Sequence, residues 1–225
     1  SDSRASQDAM DKDQAKMLCQ EHNIPTPLWT LNCYGEGYYT DITGRKSIAE
    51  KFISSGFVVK PVNEGSSLGI TIFKKYPSED EFLKSLHKTF TNISHRVMLE
   101  EYIDGRELTV SILNNKVLPI IEIVPKADYY DYKCKYTKFQ SDYVVPAEID
   151  KKTQELLSAY SLKIHKLIGC GAYSRVDFRL SNDGKIYFLE INTLPGFTDT
   201  SLFPKSAAAY GLGYRELIKK IIEIT

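Results

Sequence analysis

The sequence predicts an α+β protein whose strands pair antiparallel. Three observations carry that prediction. Asn182-Asp183-Gly184 separates two apolar runs, residues 172–180 and 185–191, and such a turn between such runs signals a hairpin. Asp104-Gly105 and Asn114-Asn115 cut residues 97–124 into three strand-like runs, the pattern of an antiparallel meander. Phe82, Leu83, Leu86 and Phe90 recur at helical spacing behind Ser78, a residue able to cap a helix.

In chain order, residues 5–22 read as a helix ending near Asn23, where Ile24-Pro25-Thr26-Pro27 breaks it. Residues 28–33 form a strand. Residues 35–44 read as loop with a short strand at 38–40. A short helix over 48–55 precedes the β-branched strand 57–61, which ends at Pro61. The chain returns as a strand at 69–73 and a helix at 78–90. The meander then runs through 97–102, 106–113 and 116–124, and residues 125–146 show no regular pattern. Asp150 suits the cap of a helix over 151–168, which Gly169-Cys170-Gly171 ends. After the hairpin, residues 194–204 form a loop, and short helices at 205–210 and 214–225 close the chain. No internal repeat or low-complexity segment is present.

At 225 residues and 42% hydrophobic content, the chain has ample material for a core. Its 29 basic residues balance 29 acidic ones, which argues against nucleic-acid binding, since no cationic excess exists to drive counterion release. No apolar run reaches membrane-spanning length, so no membrane partner is expected, and Ser1-Asp2-Ser3-Arg4-Ala5-Ser6 does not read as a signal peptide. Cys19, Cys33, Cys134 and Cys170 form no C-x-x-C pair, so neither a zinc site nor a disulfide framework is indicated. Reduced thiols and a cytoplasmic location are expected. His22, His87, His95 and His165 stand at no metal or triad spacing and read as structural or surface residues.

Candidate chemistry concentrates in the hairpin. Glu190 and Asn192 are two residues apart and project from one face of their strand. Pairing symmetric about the turn brings Asp177 near them. Three such oxygen donors suit Mg²⁺, which keeps waters and takes further ligands from phosphates. Buried without partners, these acids would be costly. The competing reading pairs Asp177 with Arg175 or Arg179 on a solvated face. A second candidate is the loop Asn63-Glu64-Gly65-Ser66-Ser67-Leu68-Gly69, whose backbone amides can cradle phosphate oxygens, with Lys60 before it as a neutralising cation. It is not a Walker loop, because no Gly-Lys-Ser/Thr follows the glycines, and a plain glycine-serine turn is the competing reading. The third is residues 125–146, where Tyr129, Tyr130, Tyr132, Tyr136 and Tyr143 interleave with Lys133, Lys135 and Lys138. A long loop of this kind is often a lid. A tyrosine-rich core edge is the alternative, and the neutral charge disfavours a single-stranded nucleic-acid platform.

Six stretches together resemble the D-alanine–D-alanine ligases of the ATP-grasp superfamily. They are residues 9–12 (AMDK), 59–69 (VKPVNEGSSLG), 100–110 (EEYIDGRELTV), 130–136 (YDYKCKY), 175–177 (RVD) and 190–202 (EINTLPGFTDTSL). They occur in the family's order and spacing and cover nearly the whole chain. The resemblance implies an ATP-grasp fold: two α+β subdomains with antiparallel sheets that sandwich ATP, over residues 1–100 and 101–225. Members of the family begin with a further α/β domain, expected to be absent here.

The resemblance also implies roles. Lys12 and Lys60 would contact ATP phosphates, and the Ser66 and Ser67 loop would close over them. The backbone of Glu100, Glu101, Tyr102 and Ile103 would meet the adenine edge, and Glu107 the ribose hydroxyls. Some relatives have lysine in place of Glu101. Asp177, Glu190 and Asn192 would hold two Mg²⁺ ions, or Mn²⁺, with Glu190 bridging both. One D-alanine carboxylate would attack the γ-phosphate to give an acyl phosphate, which the amine of a second D-alanine would then attack. Lys135 would hold the γ-phosphate, while Arg175 and the Gly196 N–H would stabilise the oxyanion. Ser201 and Leu202 would place the second carboxylate, and Ser66 with Tyr136 would link the lid to the family's first domain. The Lys135-Tyr136 pair resembles the dipeptide-forming type. The implied function is D-alanyl-D-alanine synthesis for peptidoglycan by a homodimer. The alternatives are a ligase using D-lactate or D-serine, or an ATP-binding piece inactive without the first domain.

Overall fold

The computed structural model describes residues 1–35, 38–41, 52, 54–65, 68–92, 96–125 and 141–224. They form two compact units, one comprising Ser1–Thr26 with Asp104–Thr225, the other Pro27–Ile103. The sequence reading divides the chain between residues 100 and 101. The compact units divide it at two places, because the first two helices pack on the last strand of the larger unit.

The larger unit opens with α1 (Ser3–Met10) and α2 (Lys12–Glu21). One helix was expected here. Helical periodicity does continue through Asp11, but that residue leaves helical geometry, with φ −81° and ψ 97°, and its carboxylate accepts from the N–H groups of Asp13 and Gln14. A good N-cap thus ends one helix by starting the next.

The unit's sheet has the order β11-β10-β6-β8-β9, with β7 on β6. Its strands are β6 (Gly105–Leu113), β7 (Lys116–Val117), β8 (Ile121–Pro125), β9 (Ser141–Val144), β10 (Tyr173–Ser181) and β11 (Ile186–Asn192). The strand expected over 116–124 is two strands, parted at Pro119, which has no N–H to give a ladder. β9 lies inside the stretch read as irregular. Gly105 opens β6 at φ +136°, and a Cβ there would fall on the Leu180 carbonyl, so the close β6–β10 crossing requires glycine.

Helix α4 (Lys151–Ile168) is capped as its sequence implies. Asp150 accepts from Thr153 N–H at 3.0 Å, and Gly169 closes it in the left-handed region. One sheet face carries Leu108, Val110, Ile112, Val176, Phe178, Leu180, Ile186, Phe188 and Ile191. These close on Ala5, Ala9, Ala15 and Cys19 of α1 and α2 and on Leu157, Ile164 and Ile168 of α4. Removing this apolar surface from water is the main stabilising term of the unit. A smaller cluster of Leu113, Leu118, Phe203, Ala207 and Leu217 seats α5 (Leu202–Ala209) and α6 (Tyr214–Ile224). Helix α5 starts three residues before its expected position at 205.

The second unit is a sheet of order β2-β1-β5-β3-β4. Its strands are β1 (Trp29–Gly35), β2 (Tyr38–Asp41), β3 (Phe57–Pro61), β4 (Thr71–Phe73) and β5 (Arg96–Glu101). Helix α3 (Glu79–Asn92) covers it through Leu86 and Phe90, which meet Phe52, Phe57, Val59, Val97 and Leu99. Ser78 and Glu81 cap α3 reciprocally: Ser78 N–H donates to Glu81 at 2.9 Å, and Glu81 N–H donates to Ser78 Oγ at 3.4 Å. Residues 52, 54 and 55 of the expected 48–55 helix are helical.

Candidate active site

The sheet face opposite the larger core is polar. On β6 it carries Glu107, Thr109 and Ser111, and on β10 their partners Arg179, Asp177 and Arg175. On β11 it carries Glu190 and Asn192, opposite Asp177 and Arg175. Strand alternation explains why each row shares one face.

Glu190 reaches this face only because the hairpin is irregular. Pairing is symmetric about the turn from Leu180–Ile186 to Phe178–Phe188, and then shifts so that Asp177 opposes Glu190. Continued symmetry would have set Leu189 against Asp177 and turned Glu190 to the side of Phe188, into the core. Leu189 is the extra residue of a β-bulge. Before it Ile186 and Phe188 are buried, and after it Ile191 is, so the alternation reverses across the bulge.

The face is a charge-balanced network. Arg175 grips Asp177 with Nε–Oδ1 at 2.9 Å and Nη2–Oδ2 at 2.7 Å. Thr109 Oγ1 donates to Asp177 Oδ1 at 2.5 Å, and Asn192 Nδ2 to Oδ2 at 3.3 Å. Lys12 Nζ lies 3.2 Å from Glu190 Oε2, and Arg179 Nη1 lies 3.6 Å from Glu107 Oε2. Burial disfavours charge on Arg175, yet the carboxylates of Asp177, Glu190 and Glu107 outweigh it and raise its pKa above the usual value. The pairing of Asp177 with Arg175 that competed with the metal reading is therefore present.

Gly196, Ser201 and Leu202 sit on the segment that follows β11. A Cβ on Gly196 would stand 2.8 Å from Ser201 Oγ. Ser201 is the N-cap residue of α5 but does not cap it with its side chain. Its Oγ instead accepts from Thr198 N–H at 3.1 Å and contacts Thr198 Oγ1 at 2.8 Å.

In the second unit, Lys60 Nζ binds Glu100 Oε1 at 2.6 Å, with both side chains buried. Glu101 N–H donates to the Leu28 carbonyl at 2.8 Å, and Tyr102 N–H to the Gly56 carbonyl at 3.1 Å. Lys74 Nζ stands 5.9 Å above the Tyr102 ring, and Ile103 is buried. Ser66, Ser67, Lys135 and Tyr136 lie outside the described residues.

Residues 20–223 match the family model described as the D-Ala D-Ala ligase C-terminus. The chain is 40% identical over 222 residues to a D-alanine–D-alanine ligase of Aquifex aeolicus, covering 99% of this chain and 71% of that protein. The chain belongs to the D-alanine–D-alanine ligase family. A second relative of that name, from Methylacidiphilum infernorum, is 39% identical over 225 residues, covering 100% of this chain and 69% of that protein. The D-alanine–D-alanine ligase of Bacillus anthracis, solved in complex with ATP, superimposes with a TM-score of 0.79 at 33% identity, over 100% of this chain and 68% of that one. A D-Ala:D-Ser ligase of Enterococcus faecalis gives 0.77 at 29%, over 99% of this chain and 63% of that one. The fold is the ATP-grasp fold of this ligase family.

The polar face of this family member fits a divalent cation by its donor chemistry. Asp177 and Glu190 are hard carboxylates on directly opposed residues, and Asn192, whose nitrogen faces Asp177, offers its carboxamide oxygen. Among the described residues, no three His, Cys, Asp or Glu side chains form a metal group, so any site here depends on that asparagine. Sequence reasoning missed Thr109, which binds Asp177, and offered Arg179 to Asp177, whereas it pairs with Glu107. Laying the 106–113 strand beside the hairpin would have found both contacts.

Proposed function

We propose that this chain ligates two D-alanines with ATP to form D-alanyl-D-alanine, as the names of its relatives suggest. The observation that carries the reading is the polar face, where Asp177, Glu190 and Asn192 meet Arg175 and Lys12. In the first step an oxygen of one D-alanine carboxylate bonds to the γ-phosphorus, and the bond to ADP breaks. In the second, the amine of the other D-alanine bonds to the acyl carbon, phosphate leaves, and the nitrogen loses a proton. Divalent ions, when bound, neutralise charge on the transferring phosphate.

Asp177, Glu190 and Asn192 would hold these ions. Lys12, one contact from Glu190, would reach the phosphates, as would Lys60 with Lys135 and the Ser66–Ser67 loop. Glu107 would bind the ribose, and Glu100, Glu101, Tyr102 and Ile103 the adenine. With the N–H groups of Glu101 and Tyr102 already donated, recognition there rests on other groups of that segment. Arg175 stays charged and would stabilise the tetrahedral oxyanion together with the Gly196 N–H, an electrostatic role without proton transfer. Ser201 and Leu202 would seat the second carboxylate, and Tyr136 with Ser66 would order the lid. The dipeptide would serve peptidoglycan synthesis in the cytoplasm.

The test is ADP release by the chain with Mg²⁺, ATP and D-alanine, run beside D-serine and D-lactate, with melting followed as ADP is added. Turnover with D-alanine alone supports the reading, whereas faster turnover with D-serine or D-lactate assigns the second substrate differently. Stabilisation by ADP without turnover marks a nucleotide-binding piece that needs a further domain. The absence of both turnover and stabilisation by ADP would overturn the proposal.

A further inference from the structure

The bulge that aims Glu190 is held from outside the sheet. β11 is an edge strand, and at Phe188 both backbone groups point away from β10. Phe188 N–H donates to the Pro25 carbonyl at 2.8 Å. Its carbonyl accepts from Lys16 Nζ at 3.4 Å. Phe188 is the last residue in symmetric register, immediately before the extra Leu189.

Lys16 has no exposed surface. Burying an ammonium is costly unless its protons are bonded, so its place inside α2 calls for a reason beyond filling space. Lys12, one helical turn earlier, meets the Glu190 side chain. Helix α2 therefore sets two cations on the same stretch of β11, one on the Glu190 carboxylate and one on the backbone two residues before it.

We propose that Lys16 is a positioning residue for the metal and phosphate site. By holding the Phe188 carbonyl it fixes the Leu189 bulge and keeps Glu190 on the face of Asp177. Without that hold, β11 can relax toward symmetric register, which turns Glu190 toward the core, because a one-residue slip exchanges the two faces of a strand. The inference rests on the metal reading of Asp177, Glu190 and Asn192 given above.

Lys16→Met keeps an unbranched apolar stem and removes the donor, and Lys16→Gln, of the same length as Met, keeps a donor one atom short of Nζ. On the full chain, three quantities are measured. They are amide exchange at Leu189, Glu190 and Ile191 without ligand, cooperative melting, and ADP affinity with Mg²⁺ and with EDTA. Asp177→Asn serves as the reference for losing the metal contribution. In Lys16→Met, exchange at the bulge should accelerate. The gain in ADP affinity on adding Mg²⁺ should fall about 10–100-fold, the usual cost of losing a group that orients a metal ligand. Melting should stay cooperative and affinity in EDTA should hold, with Lys16→Gln intermediate. A lysine that merely stabilised the fold would weaken both affinities together. Unchanged exchange at the bulge overturns the proposal, as does a Mg²⁺ gain that survives Lys16→Met but not Asp177→Asn. If Asp177→Asn itself leaves the gain intact, the metal reading fails and the proposal falls with it.

Discussion

Single side chains in the larger unit show how burial decides protonation. His165 is buried in the last turn of α4, its Nδ1 2.8 Å from Ser174 Oγ. Burial lowers its pKa, the Gly171 backbone opposes that, and the positive charges of Lys166 and the amino terminus add to the lowering. The folded chain thus binds this proton less readily than the unfolded chain, whose histidine titrates near the ordinary value of about 6.5. The contribution is fully present above that pH and is lost as pH falls through it toward the lowered value. Melting temperature should therefore drop between about pH 7 and pH 5, and His165→Gln should flatten that slope. An equal slope in the variant would assign the loss to other groups. The same burial pushes the Cys19 thiol up to about 12 and the Cys170 thiol to about 11, consistent with structural rather than reactive cysteines.

Elements differ in how far local sequence specifies them. In the second unit, Lys60 on β3 and Glu100 on β5 form a buried pair that joins neighbouring strands. Lys60→Met should cost about 3–5 kcal/mol in denaturant unfolding, because it takes the paired cation from a buried carboxylate. Adding Glu100→Gln should return part of that loss, and a single variant as stable as the parent would contradict the assignment. Where the determinants lie close in sequence, the elements were legible: α4 was read from Asp150 and Gly169, and the β10–β11 hairpin from Asn182-Asp183-Gly184. Ser141-Asp142-Tyr143-Val144 lacks an apolar alternation, so β9 shows only through its pairing with β8. The break at Asp11 hid inside an unbroken helical period. Asp177, Glu190 and Asn192 were legible as a group of oxygen donors, but the register that aims Glu190 was not. Pro25 and Lys16 set it from far along the chain. Roles for Lys12 and Glu107 came from family likeness, since neither stands in a telling local pattern.

At the scale of the molecule, the two units differ in how the chain supplies them. The second is one contiguous stretch with its own core around Phe57, Val59, Leu86 and Leu99. Residues 27–103 produced alone should melt cooperatively by circular dichroism. Residues 104–225 alone should not, because the apolar face of β10 and β11 would lose Ala5, Ala9, Ala15 and Cys19. A cooperative transition from the latter would show that α1 and α2 are accessories to that core. The interrupted origin of the larger unit also bears on its birth at the ribosome. Lys16 leaves the exit tunnel long before its partner Phe188, 172 positions later. At about 5–20 residues per second, the nascent α1 and α2 wait roughly 9–34 s for the strand they cover. During that interval the intervening stretch of 27–103 can complete its own sheet. Helices α1 and α2 thus precede the strand they cover, and while they wait they offer other nascent chains only a narrow apolar face, Ala5, Ala9, Ala15 and Cys19 with Leu18 beside them.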